Sequence, residues 1–169
     1  MKFQTECLAA RSCPQPLLQQ LETWFDDEFG FTGRTYSSPE WYVLVSCEGE
    51  LVGRIGVVER TISVGGRDVR VGGIGGVTTR PEWRRQGVAR ELLIETERLV
   101  RRLQVDFGFL LCREGVRPVY EKAGWNVVDA QTRFEQPDGP ETYPALTMVF
   151  SPGDQDWPGG DVDLLGLPW

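Results

Sequence analysis

Histidine is absent from this 169-residue chain. That gap removes the Ser-His and Cys-His nucleophile pairs, and with them the commonest transition-metal ligand. Cysteine is sparse and scattered: Cys7, Cys13, Cys47 and Cys112 form no Cys-x-x-Cys pair. Neither a zinc cluster nor a disulfide framework is indicated, and no metal is expected. Long apolar runs are missing too, since nothing approaches the roughly 18 residues needed to cross a bilayer. The opening MKFQTECLAARSC lacks the apolar core of a secretory signal. A cytoplasmic protein with no membrane association is expected. Basic residues are in deficit, 18 Lys+Arg against 25 Asp+Glu, for a net charge of -7. Counterion release needs a basic face, so nucleic acid is an unsuitable partner, and small cationic molecules suit the charge better. Chemistry is left to carboxylates, Tyr, Cys, Lys and backbone groups.

What is present is the composition of one globular domain, 40% hydrophobic and 25% charged. Leu17, Leu18, Leu21, Trp24, Phe25 and Phe29 recur at helical spacing, which predicts a helix over 16–28 that Gly30 ends. The Val- and Ile-rich stretch 41–79, punctuated by Glu-Gly-Glu and Gly-Gly-Arg-Asp, predicts three consecutive antiparallel strands. Val88, Leu92, Leu99, Val100 and Leu103 stripe a helix over 86–103. DFGFLLC reads as a short buried strand, GVRPVYEKAG as a helix, WNVVDAQTRFE as a strand and YPALTMVF as the last strand.

Two runs carry the chemistry. In VTTRPEWRRQGVARELL, Arg80-Pro81 marks the end of a strand, because proline cannot donate to a ladder, and Gln86-Gly87-Val88-Ala89 begins a helix. A helix N-terminus exposes unpaired N–H groups with partial positive charge, and the small residues Gly87 and Ala89 admit an anion to the backbone. Arg84 and Arg85 add charge at the same corner. Any strand-to-helix turn also favours glycine, so the run alone leaves a purely structural reading open. Some thirty residues on, RPVYEKAGWNVV puts the Tyr120 phenol near a helix end. With an ordinary pKa near 10, Tyr120 is protonated at neutral pH and can donate to a thiolate whose thiol has a pKa near 8.5.

These runs resemble the acyl-CoA signature of the GNAT superfamily of N-acetyltransferases. Arg84, Gly87 and Ala89 fall on the fixed positions of R/Q-x-x-G-x-G/A, and Tyr120-Glu121-Lys122-Ala123-Gly124-Trp125 is similar to the family's tyrosine-bearing helix. The resemblance covers about residues 40 to 150. It implies an α+β fold, a mixed and mostly antiparallel sheet of about six or seven strands with helices on both sides. It implies one domain over 1–169, with 151–169 a docked tail. Acetyl-CoA is the implied cosubstrate, with its pyrophosphate on Arg84, Arg85, Gln86, Gly87, Val88 and Ala89. Its pantetheine arm is implied to pair with the strand at Val77, Thr78 and Thr79. The implied reaction is direct transfer to a primary amine, with Tyr120 as general acid and a backbone N–H from Gly75 to Val77 holding the oxyanion. A protein acceptor, or a coenzyme A-binding module without turnover, is the alternative.

Within that superfamily the strand-turn-helix IGGVTTRPEWRR, the tail DWPGGDV and the final tryptophan resemble the aminoglycoside 2'-N-acetyltransferases. This implies a small cationic acceptor touched by Asp161 and the terminal carboxylate of Trp169, with Glu141 a looser contact. Where those enzymes carry an acidic residue just before the Gly-Val of the motif strand, this chain has Gly75 at the substrate position, so the implied base or substrate anchor is missing. Glu59 on the adjacent strand is the carboxylate expected to take its place, although a cross-strand ion pair explains it as well. The four glycines of Val71-Gly72-Gly73-Ile74-Gly75-Gly76 weaken a strand. They point to a bulge or close ligand approach, or else to crowding beneath an aromatic such as Trp41 or Trp83. Residues 151–169 combine four aspartates with Trp157, Leu164, Leu165, Leu167 and Trp169. Such a tail is expected to wall the acceptor cleft or to form a homodimer contact.

Overall fold

The computed structural model describes residues 1–169. Strand β1 (Phe3–Ala9) and helix α1 (Gln15–Phe29) precede three antiparallel strands, β2 (Trp41–Cys47), β3 (Glu50–Val64) and β4 (Arg67–Thr79). Helix α2 (Val88–Arg102), β5 (Phe107–Cys112) and the short α3 (Arg117–Glu121) follow. The remainder supplies β6 (Asn126–Val128), β7 (Thr132–Phe134), β8 (Glu141–Thr142), β9 (Leu146–Phe150) and β10 (Val162–Asp163). All lie in one sheet, ordered β6-β9-β5-β4-β3-β10-β7-β8, with β2 and then β1 extending from another stretch of β3. Only β4–β5 and β7–β10 are parallel pairs.

The mixed sheet matches the expectation, but it has ten strands rather than six or seven. Strand β1 escapes a periodicity reading because it covers an edge and buries none of its residues fully. The stretch WNVVDAQTRFE is two strands instead of one, since β6 pairs with β9 while β7 pairs with β8 and β10. A further short strand, β10, follows the one predicted to be last.

Alternation along β2 assigns a helix to each face. Tyr42 and Leu44 pack with Leu21 of α1, whereas Val43, Val45 and Cys47 join Val88 and Leu92 of α2. Each such aliphatic side chain contributes about 1.5–3 kcal/mol on burial. Beyond α1, the face it shares is covered by the C-terminal segment: Trp157, Leu164 and Trp169 pack with Ile62, Val71, Phe107 and Phe109. The C-terminal tail folds onto its own sheet. Arg60 clamps it, Nη1 donating to the carbonyls of Leu164 (3.2 Å) and Leu167 (2.7 Å) and Nη2 to Ser37 Oγ (2.7 Å). The same guanidinium lies 5.0 Å from the centre of a Trp169 ring.

The glycine run of β4 is where the tail meets the sheet. A methyl group on Gly73 would overlap the Trp169 indole, and one on Gly75 would overlap the Trp169 main chain. A methyl on Gly76 would come within 2.8 Å of Arg54 Nη2 and 2.9 Å of Phe25. Pairing runs Gly56 with Gly75 and Arg54 with Thr78, so β4 holds one residue more than β3 between these points. That is a β-bulge, and Gly76 supplies its left-handed residue at φ 58°. Bulge and crowding thus occur together, but the aromatic is Trp169; Trp41 and Trp83 pack against the α2-side core instead.

Gly73→Ala should cost about 1–3 kcal/mol by forcing the indole off the strand. Urea unfolding followed by tryptophan fluorescence measures this. Gly115→Ala, at a site with nothing within 4 Å, is the control expected to stay within ~0.5 kcal/mol of the parent.

Candidate active site

Strand β4 pairs with β5 only from Val71–Ile74 to Phe107–Leu110, after which β5 continues along β9. The bulge turns β4 away, so the backbone edge of Gly75–Thr79 on that side has no strand partner. A slot opens between two diverging parallel strands, and the N-terminus of α2 stands at its far end. There Arg85 and Gly87 adopt left-handed φ values of 62° and 95°, and α2 begins without a side-chain cap. None of the N–H groups from Arg85 to Arg90 has a backbone acceptor. Convergent free N–H groups at a helix start form an anion site. The Arg84 side chain is turned onto the Thr79 carbonyl (3.4 Å) and that of Gln86 onto the Glu82 carbonyl (2.8 Å), which brace the turn. Val77, Thr78, Thr79 and Arg84 to Ala89 therefore come together along one slot and its end. Thr78 is buried with its hydroxyl donating to the Gly76 carbonyl (3.1 Å), so only its backbone is free to act.

Tyr120 projects from α3 into the α2-side core, 7% exposed, its ring edge-on to Trp125 at 6.4 Å between centroids. Burial, then the neighbouring Cys112 and Tyr143, hold its hydroxyl well above the usual phenol range. Burial, then Glu114, likewise pushes the Cys112 thiol up to about 11. Cys112 rests against Met148 Sδ at 3.5 Å and stays a neutral thiol at physiological pH.

On the α1 side of the sheet lies a cavity of about 340 Å³. Phe25, Tyr36, Tyr42, Arg54, Gly75 and Trp169 line it, with Glu22 and Asp26 on its α1 wall. Gly75 and Trp169 thus line the same cavity. Glu141 is adjacent, paired at 3.0 Å with Arg34 of the cavity wall. Asp161 is not there: its Oδ1 accepts from the Gln131 N–H (3.2 Å) and its carbonyl from the Gly65 N–H (2.9 Å), at the far β3–β4 turn. Glu59 also lies outside the cavity. It is ion-paired with Arg70, and its place between Val58 and Arg60 turns it to the opposite face of β3. Sequence reasoning missed Arg54, a charge set in the apolar run Leu51-Val52-Gly53-Arg54-Ile55-Gly56-Val57, which was a legible anomaly.

The slot, the uncapped turn and the strand-helix order define the acyltransferase fold that the sequence resembles. The chain belongs to the GNAT acetyltransferase family, whose domain model, described as "Acetyltransferase (GNAT) domain", matches residues 15–128. It is an acetyltransferase of that family. Among solved structures it is similar to Escherichia coli ElaA, at 14% identity and TM-score 0.65 over 88% of this chain and 99% of that one. It is similar also to the E. coli GNAT family N-acetyltransferase YhbS in complex with CoA, at 15% and 0.61 over 98% and 92%. A GNAT family acetyltransferase from Brucella melitensis in complex with acetyl-CoA matches at 18% and 0.55 over 94% of each chain. No helix is long and apolar enough to cross a membrane.

The raised Tyr120 pKa fixes a pH response. The folded state holds the phenolic proton more tightly than the unfolded chain, so this group's stabilisation is complete below the unfolded value of about 10 and is lost as pH rises above it. Tyr120→Phe should unfold less steeply with alkali than the parent between about pH 10 and 11, and difference absorbance at 295 nm should show no Tyr120 phenolate below that range.

Proposed function

We propose that this protein transfers an acetyl group from acetyl-CoA directly to a primary amine of a small molecule held in the α1-side cavity. The observation that carries this reading is the meeting of slot and cavity at one point, the Gly75–Gly76 bulge. The pyrophosphate accepts hydrogen bonds from the free N–H groups between Arg85 and Ala89, while Arg84 and Arg85 add positive charge. The pantetheine amides complete the open edge of β4 at Val77 and Thr79, as a further strand would. The thioester then lies beside the bulge, where a backbone N–H between Gly75 and Val77 stabilises the oxyanion, a contribution of about 10²- to 10³-fold. Tyr120, kept protonated by burial, gives its proton to the departing thiolate. Two similar structures, in complex with CoA and with acetyl-CoA, support the choice of cosubstrate.

The amine enters from the α1 side. Glu22 and Asp26 draw an ammonium group towards the cavity, and the main-chain oxygen of Trp169, set against Gly75, accepts an amine N–H. Amine-rich sugars of the aminoglycoside kind meet this acidic wall. Glu59 takes no part in this scheme, because its carboxylate is occupied by Arg70 on the other face; water removes the amine proton.

Thiol release from acetyl-CoA over a panel of aminoglycosides, polyamines, amino acids and peptide N-termini tests the reaction, and calorimetry with coenzyme A tests the slot. Tyr120→Phe should lower kcat about 10²- to 10⁴-fold with unchanged coenzyme A affinity. Gly87→Val should weaken coenzyme A binding at least about tenfold, since a β-branched residue resists φ 95° and shields the N–H groups. Full turnover by Tyr120→Phe removes the phenol from the mechanism, and absence of coenzyme A binding by the parent rules out the whole scheme.

A further inference from the structure

Arg54, at 1% exposure, is the only buried residue that carries a charge. Its Nη1 donates to the Leu21 carbonyl at 2.7 Å, but Nε has no acceptor and Nη2 makes no hydrogen bond within the chain. No carboxylate forms an ion pair with it, although Glu22 and Asp26 line the same cavity. The rings of Phe25 and Tyr42, each 5.4 Å from the guanidinium carbon, are its remaining company. Burial lowers its pKa to about 10, which still leaves it cationic at neutral pH. A buried charge without a counterion costs several kcal/mol, and ring faces with one carbonyl offset only part of that.

The free end of this cation faces the reaction point. Nη2 sits over the two glycines that flank the bulge, where a methyl group on Gly56 would lie 3.3 Å from it and one on Gly76 2.8 Å. A side chain at either position would cover it. Gly75, the next residue, carries the Trp169 main chain on the same cavity. The free donor of Arg54 and the main-chain oxygen of Trp169 thus approach neighbouring residues of β4, Gly76 and Gly75. A polycation can set its ammonium groups against Glu22 and Asp26, but it leaves Arg54 without a counterion.

We propose that the acceptor is a zwitterionic, amino-acid-like amine whose carboxylate is bound by Arg54 while its amino group faces the thioester. This rests on the reading of the cavity as the acceptor site. A charge-assisted contact of this kind is strong because both partners are already desolvated in the complex. It also gives the guanidinium the counterion that the unliganded chain does not provide.

The test uses matched triples: each standard amino acid, its amide, and the amine left on decarboxylation. Thiol release from acetyl-CoA should favour at least one acid over its amide and its decarboxylated amine by about 10- to 100-fold in kcat/KM. In Arg54→Gln that preference should collapse, the acid losing about 10- to 100-fold more in kcat/KM than its amide. Since removal of a buried arginine can impair folding, the comparison within the parent protein stands without any variant, and Arg54→Lys keeps the charge while losing the planar fork. Amides or plain amines used as well as the acids overturn the proposal and leave the acetyltransferase reading standing. Equal loss on acid and amide in Arg54→Gln also overturns it, and moves the guanidinium to the reacting carbonyl. If no amine is acetylated, calorimetry with the N-acetylated acids and their amides decides. Binding of acids alone upholds Arg54 and counts against the transfer reaction, and binding of neither overturns both.

Discussion

Both halves of the site depend on the absence of side chains along one short stretch of β4. At Gly72 the missing side chain lets Val100 and Val105 of the α2 side close on the sheet. At Gly73 and Gly75 it makes room for Trp169, and at Gly76 it permits the left-handed bulge and the approach of Arg54 and Phe25. Four glycines in a strand carry a conformational penalty of roughly 0.5–1 kcal/mol each. The penalty is offset by long pairing with β3 and by the tryptophan ring that fills the space. One constraint yields two consequences: the bulge separates β4 from β5, opening the slot, and the bare surface behind it becomes the cavity floor. A side chain restored at Gly75 or Gly76 would disturb both together.

Local chemistry was legible in the sequence and assembled geometry was not. The strand-turn-helix around Gly87 can be read because a helix start with free N–H groups is a backbone property, signalled by glycine and by the change from strand to helix. The Tyr120 run is equally compact. The cavity, in contrast, draws on α1, the loop at 34–39, β3, β4 and Trp169, segments whose meeting no spacing records. Glu59 shows the limit well. Strand β3 buries apolar residues on both faces, so its pattern gives no parity, and a one-residue difference in parity puts a carboxylate on the wrong side of the sheet. Asp161 fails for another reason: the tail approaches along the far end of β3, and only its last residues return to the bulge.

Two arginines on the same face of β3 show how the chain treats interior charge. Arg60 is half-buried and fully engaged, with carbonyls, a hydroxyl and an aromatic face around it. Its burial lowers its pKa, but every contact ties the tail to the sheet, which is a structural use. Arg54 is more deeply buried and makes one hydrogen bond. The pair shares strand, face and residue type, so the contrast isolates the variable. Packing needs explain Arg60 completely and leave the free donor of Arg54 without a partner.

The surroundings of Tyr120 raise a question of matching. A phenol lifted above its ordinary range is a weaker acid, which would count against proton donation if the acceptor kept its value in water. The acceptor does not keep it. Cys112, a thiol beside Tyr120, is pushed up to about 11 by the same desolvation, and in the proposed transfer the sulfur leaving beside Tyr120 would meet the same penalty for carrying charge. Donor and acceptor therefore rise together, the difference between them changes less than either, and a thiolate that water cannot solvate has all the more need of the proton. In the proposed transfer, burial near Tyr120 would thus favour acid catalysis, because it keeps the proton available at every physiological pH and makes the naked leaving group the costlier alternative.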